Sequence, residues 1–374
     1  MIPWFVVVAS VVSVIGFVYY QRPVDTTALI RDGIIGCLDE RRPLWHGPCF
    51  RDLADRILAR MTPEESLRTL ADLDDEQPVK SVCHALVHYI GQDMYAESGD
   101  LQDTLARCSS VIACGEGCLH GAVEGYLTTA GSDFADIDLA ALCVRSQAKN
   151  EMDYRACVHG IGHALMLVTD GDIPGSLAAC DAIDVAVRDQ CLSGVFMENV
   201  FGHQYLGNPG AYVDLREPRY PCTIVDEMYL ARCYASQASF VIQNDRRGYD
   251  AGAEFCAAID PTYRAACYGA LGAQSVVGEE TPHAVVQACA RVPDGDAHDE
   301  CIRMALYFRI QMTAGDAPSL GAICGAVPEA RQEACAGAAG ETIALWFSTR
   351  PEDACRDAFA DTRLLRTCEA ALSI

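Results

Sequence analysis

Twenty cysteines recur along this chain of 374 residues at intervals too regular for chance. Cys83, Cys118, Cys157, Cys191, Cys233, Cys267, Cys301, Cys335 and Cys368 each open an apolar run. Successive separations are 35, 39, 34, 42, 34, 34, 34 and 33 residues. From Cys157 onward each has a companion 11 to 14 residues upstream: Cys143, Cys180, Cys222, Cys256, Cys289, Cys324 and Cys355. Cys37 and Cys49, 12 apart, read as an early copy. A unit near 34 residues is the length of a helix–turn–helix repeat that stacks into an α-solenoid.

The stretch 251–278, AGAEFCAAIDPTYRAACYGALGAQSVVG, shows how such a unit folds. A first helix ends near Cys256, the Asp260–Pro261 pair breaks it, and a second helix carries Cys267 in its first turns. The two cysteines then face each other across a hairpin, and a disulfide between them is geometrically reasonable. Closing so short a loop contributes roughly 2–3 kcal/mol in the chain-entropy description. No sustained apolar–polar alternation competes for a strand, and Ala, Leu, Arg, Glu and Gln dominate the runs between breakers. The fold class is therefore all-α: an α-solenoid of disulfide-stapled helical hairpins preceded by one N-terminal transmembrane helix. The organisation reads as an anchor (1–22), a helical cap with the first cysteine pair (23–75), histidine-bearing repeats (76–205) and further stapled repeats (206–374). The segment 202–221, rich in Gly, Pro and Tyr, accounts for the 42-residue step and reads as a loop that could fold over the array.

Cys83, Cys108, Cys114 and Cys118 break the pattern. They read as Cys108–Cys118 with Cys83–Cys114, a pairing that spacing leaves open; a zinc-binding thiolate pair in CGEGC (114–118) is the rival. The anchor reading rests on residues 3–20, which hold no charge and have Trp4, Tyr19 and Tyr20 at their ends. No basic region precedes this segment and no A-x-A site follows it, as a cleaved signal peptide would require. Arg22 alone would put the body in the cytoplasm, but an even cysteine framework persists in oxidising compartments. The body is expected in the periplasm or the extracellular space, with the membrane as a partner through the N-terminal helix. A formal net charge of −24 excludes nucleic acid, which needs a basic face.

The histidines are arranged as closely as the cysteines. CVHGIGHALM (157–166) places His159 and His163 four apart, CLHGAVEGYL (118–127) has His120 and Glu124 in the same register, and CHALVHYIGQ (83–92) has His84 and His88. Side chains four apart leave one face of a helix a turn apart and can grip one ion. Equivalent positions on stacked repeats lie side by side, so these pairs are expected on one surface. Counted from Cys83, the His84–His88 pair is out of register by one residue. The fourth copy, CLSGVFMENVFGH, has Ser193 and Met197 in register, Glu198 one residue late, and His203 at the start of the loop. Gly121, Gly125, Gly160, Gly162 and Gly194 each weaken a helix by about 1 kcal/mol relative to alanine. They make sense where a second backbone or a bound group comes close, or where helices pack tightly. The equivalents in the later repeats are Ala235, Gly269, Arg303 and Gly337, with no paired histidine.

The expected metal ligands are thus His84, His88, His120, Glu124, His159 and His163, with Glu198 outlying. The cofactor is one or two divalent transition-metal ions; nitrogen and oxygen donors suit Zn, Fe, Mn or Cu alike. Glu124 and Glu198 are the candidate general bases for hydrolysis. Over roughly residues 83–203 the arrangement is similar in concept to deoxyhypusine hydroxylase, a HEAT-repeat enzyme whose stacked helices present His-Glu pairs to a di-iron centre. That resemblance implies metal-dependent oxidative chemistry, but only His120–Glu124 matches such a pair, and the disulfides depart from it. G-x-S-x-G, G-x-x-x-x-G-K-[ST], H-E-x-x-H and C-x-x-C-H are all absent. Two readings follow: a metalloenzyme, hydrolytic or oxidative, or a non-enzymatic scaffold that holds a protein partner or sequesters metal.

Overall fold

Pairing of the cysteines organises the observed architecture. The computed structural model describes residues 25–38, 46–73, 76–111, 113–131, 136–144, 149–202, 212–214, 216–278, 281–293 and 295–372. Among these residues the regular structure is nineteen α-helices with short 3-10 and π turns, and no strand. The first part comprises α1 (Thr26–Cys37), α2 (His46–Leu58), α3 (Pro63–Ala71), α4 (Val79–Ser98), α5 (Leu101–Ser110) and α6 (Gly117–Ala130). The middle comprises α7 (Leu139–Leu142), α8 (Glu151–Val168), α9 (Ile173–Cys180), α10 (Val185–Met197), α11 (Leu230–Asn244) and α12 (Tyr249–Ala257). Then follow α13 (Arg264–Gly278), α14 (Pro282–Cys289), α15 (Asp296–Met312), α16 (Ala317–Ala326), α17 (Gln332–Trp346), α18 (Pro351–Ala358) and α19 (Thr362–Ala371).

Local chemistry sets the ends of these helices. Thr62 and Glu65 form a reciprocal capping box at α3. Asp100 accepts from the backbone of Gln102 and Asp103 at α5, and Asn150 from Asp153 at α8. Proline stands in the first turn of α3, α9, α14, α16 and α18, where its missing N–H is an orphan anyway. Asp260 caps the 3-10 turn Pro261–Tyr263 that leads into α13, so the break lies where the sequence places it.

Nine disulfides link residues 10 to 14 apart, with Cα atoms 5.5–5.9 Å from each other, and staple the chain into hairpins. The tenth, Cys83–Cys114, spans 31 residues. No cysteine is free, so the zinc-thiolate rival at 114–118 is excluded. Ten disulfides point to an oxidising, extracytoplasmic compartment. The apolar segment 3–20 lies outside the described residues; among those described, no helix is long and apolar enough to cross a membrane.

The longer helices α4, α6, α8, α10, α11, α13, α15, α17 and α19 pack each against the next in one row. That row bends back on itself. Helix α13 reaches α4, the Gln311 amide at the end of α15 donates to Glu116 Oε2 at 2.9 Å, and Ser348 donates to the Lys149 carbonyl at 3.4 Å. The later repeats thereby face the histidine-bearing ones across a shared cavity.

Candidate metal centre

Glycines bring α4, α6, α8 and α10 close enough for their side chains to converge. A Cβ on Gly162 would stand 2.1 Å from the Cys191 carbonyl oxygen, one on Gly272 1.8 Å from that of Cys301, and one on Gly340 2.3 Å from that of Cys368. Each of these glycines lies five residues after a hairpin cysteine. Gly91 meets the Cys118 carbonyl in the same way, which makes Leu86 the counterpart of a hairpin cysteine and removes Cys83 from that role. A second contact agrees: Gly121 meets the carbonyl of His88 as Gly194 meets that of His159. In packing register His88 therefore matches His159, and His84 matches Arg155. Counting from Cys83 misaligns this repeat because Cys83 bonds to Cys114, outside the hairpin ladder.

With that register all five imidazoles come together. The His120 ring centroid is 5.2 Å from those of His84 and His88, 4.9 Å from His159 and 5.3 Å from His163. Donor atoms of His84, His88 and His120 lie within 4.8 Å of one another, as do those of His120, His159 and His163. A third group, Glu124, His163 and Glu198, meets the same limit. His203 lies outside the described residues.

The two outer pairs are built alike. His88 Nδ1 contacts Glu124 Oε1 at 2.8 Å and His88 Nε2 faces His84 Nε2 at 3.1 Å. His163 Nδ1 contacts Glu198 Oε2 at 2.8 Å and His163 Nε2 faces His159 Nε2 at 3.1 Å. Glu198 reaches this place because α10 passes into a π turn, Glu198–Gly202, which re-aims the residue that arrives one position late in sequence.

The tautomers follow from the partners. A carboxylate or a carbonyl oxygen only accepts, so Nδ1 carries the proton in His88 and His163, and also in His84, whose Nδ1 donates to the Cys114 carbonyl at 2.7 Å. Left-handed backbone at Cys114, Gly115 and Glu116 turns that carbonyl toward the ring. Were both rings neutral, His84 and His88 would point two bare Nε2 lone pairs at each other. A cation has to lie between them, either a proton on one ring or a metal ion. Imidazole nitrogens bind ions such as zinc at about 2.0–2.1 Å, which suits a pair at this separation.

Burial and mutual contact set the charges of these groups. Glu124 is fully buried; burial raises its pKa, but the charge and hydrogen bond of His88 outweigh that and hold it down at about 2. Burial pushes His84 down to about 3, with the nearby His88 charge acting the same way. His120 and His159 are held well below the usual imidazole range, first by burial and then by their neighbours. For His88, burial lowers the pKa but Glu124 more than compensates, and the net shift is upward. The Nδ1 of His120 is buried with no hydrogen-bond partner, a donor atom left for an ion.

The two candidate bases differ. Glu124 has both oxygens engaged, Oε1 by His88 and Oε2 by the Gln92 amide at 2.8 Å. It orients His88, as carboxylates behind metal-bound histidines do. Glu198 keeps Oε1 without a hydrogen-bond partner and lines a cavity of about 150 Å³ beside the cluster. His84, His88, His163 and Met197 also border this cavity, facing Val277, Phe308 and Met312 and the amides of Gln243, Gln274 and Gln311. Sequence reasoning missed Gln92, one turn beyond His88. It placed Met197 in the slot of Glu124 and His163, six residues after its hairpin cysteine, without counting it as a ligand. Of the 202–221 segment, Tyr212 is tied to the site's edge, its carbonyl accepting from Asn199 Nδ2 at 3.1 Å.

No protein-family model, curated protein or solved structure matches the chain. What the fold and site define is a disulfide-rich helical protein with buried His/Glu clusters that could bind metal.

Proposed function

We propose that this chain is an extracytoplasmic metalloenzyme whose centre holds one or two transition-metal ions between the His84–His88–His120 and His120–His159–His163 triads. The observation that carries this reading is two Nε2 atoms held 3.1 Å apart while a carbonyl and a carboxylate occupy the far side of the rings. A bound ion would supply a Lewis acid and an activated water if zinc-like, or redox chemistry if iron or copper. Glu124 and Glu198 hold His88 and His163 in one tautomer. Glu198, which lines the cavity and whose Oε1 has no hydrogen-bond partner, would be the base that takes a proton from a bound substrate or water. Val277, Phe308 and Met312 give the cavity apolar walls, and the glutamine side chains at 243, 274 and 311 would offer hydrogen bonds to a small ligand. This cavity against the cluster favours an enzyme over a scaffold or a metal store, which needs no open side.

The test is metal content by mass spectrometry on untagged protein, beside a His159→Ala/His163→Ala variant checked for helicity. One or two equivalents in the parent, lost in the folded variant, would support the centre. Absence of metal after reconstitution with Zn, Fe, Mn and Cu would overturn it and return the histidines to packing.

A further inference from the structure

The metal position on the α8 side carries a donor that the nitrogen and oxygen inventory overlooks. Met197 Sδ lies 3.3 Å from His159 Nε2, and the same Nε2 lies 3.1 Å from His163 Nε2. His163 donates through Nδ1 to Glu198, so its Nε2 bears a lone pair. His159 also hydrogen-bonds the Gln190 backbone. Two imidazole nitrogens and a thioether therefore converge; a proton would bridge only the two nitrogens, whereas a metal ion would engage all three. A thioether gains little from a hydrogen bond to a bare nitrogen, because both are electron-pair donors.

Place in the repeat strengthens the point. The slot six residues after a hairpin cysteine holds Glu124, His163 and Met197 in three consecutive repeats, each a side chain able to ligate. Hydrophobic gap-filling is the ordinary use of methionine, but Met197 borders the cavity on the cluster and touches a ligand atom. Every cysteine is locked in a disulfide, so no thiolate competes. Imidazole together with thioether is a donor set that suits copper(I), whereas zinc gains little from a neutral thioether.

We propose that the His120–His159–His163 position is a copper(I) site completed by the Met197 thioether. This rests on the metal centre proposed above and names its metal.

The test uses the full chain, freed of metal and loaded anaerobically with copper(I), and in parallel with zinc(II). X-ray absorption at the copper edge should show one sulfur scatterer beside the nitrogens, and with no free thiol in the chain that sulfur must be a thioether. Met197→Leu, which conserves volume, should lose the sulfur scatterer. It should also weaken copper(I) binding about tenfold, the lower end of what a lost partner costs a metal site, while leaving zinc(II) affinity unchanged. A nitrogen-only copper shell in the parent would overturn the assignment, as would a sulfur scatterer that persists in the variant or an equal loss of both metals. Zinc bound as tightly as copper(I) would sink the copper inference and leave the metal centre standing. Failure of the parent to bind either ion would sink the centre itself.

Discussion

At the scale of single residues, the centre is decided by which atom of each ring is already spoken for. Histidines four apart were visible in the sequence, but their tautomers were not. Those depend on the Cys114 carbonyl, Glu124 and Glu198, which come from other helices. The same helix start that serves His84 also buries Glu116, whose Oε2 accepts from Gln311 and whose Oε1 has no hydrogen-bond partner. Burial, reinforced by Asp153, pushes its carboxyl well above the usual range. The folded state thus keeps a proton that the unfolded chain releases near pH 4.3. In that window the folded state binds more protons, so this group's contribution is present at low pH and is lost as pH rises. Glu116→Gln should therefore flatten a decline in stability with rising pH, measured as denaturation midpoints from pH 4 to 8. An unchanged slope would refute the reading of Glu116.

At the scale of helices, glycine sets how near the stacked backbones come. The Cβ of an alanine at 162 would meet the Cys191 carbonyl oxygen at 2.1 Å, and backbone cannot swing aside. Gly162→Ala should destabilise by about 1–3 kcal/mol, as overpacking does. Gly36 in α1 is exposed and a Cβ there meets nothing within 4 Å. Gly36→Ala should stabilise by about 0.5–1 kcal/mol through helix propensity. Opposite signs in thermal melts are the expected outcome; two losses or two gains would contradict the packing argument. Glycines in the histidine repeats drew notice in the sequence, and close backbone approach was one of two explanations weighed. What could not be read was their use as register marks, because a glycine's partner is a carbonyl on another repeat.

At the scale of the molecule, the disulfides divide into two kinds. Nine staple hairpins, whereas Cys83–Cys114 ties α4 to the turn whose carbonyl holds His84. Replacing Cys324 and Cys335 by serine should remove about 2–5 kcal/mol of stability and leave metal affinity alone. In a repeat array the loss stays near the altered unit. The Cys83→Ser/Cys114→Ser double variant should lose comparable stability and weaken metal binding as well, read by competition titration of each folded variant. Equal metal affinity in both would show that this tenth disulfide does not support the site.

Cysteine spacing was enough to call repeated helical hairpins, because a disulfide across a short hairpin links residues close in sequence and leaves a period behind. Histidine spacing was enough to gather five imidazoles and Glu124, because helical pitch is local. Register was beyond reach from Cys83, whose partner lies outside its hairpin, and so was the place of Glu198, which a π turn delivers from an out-of-step position. The return of α13 onto α4, which brings the later repeats to the cavity, depends on small rotations summed over many repeats. Local chemistry leaves its mark within a few residues of its cause, whereas curvature, tautomer and cavity arise from contacts between residues tens to hundreds of positions apart.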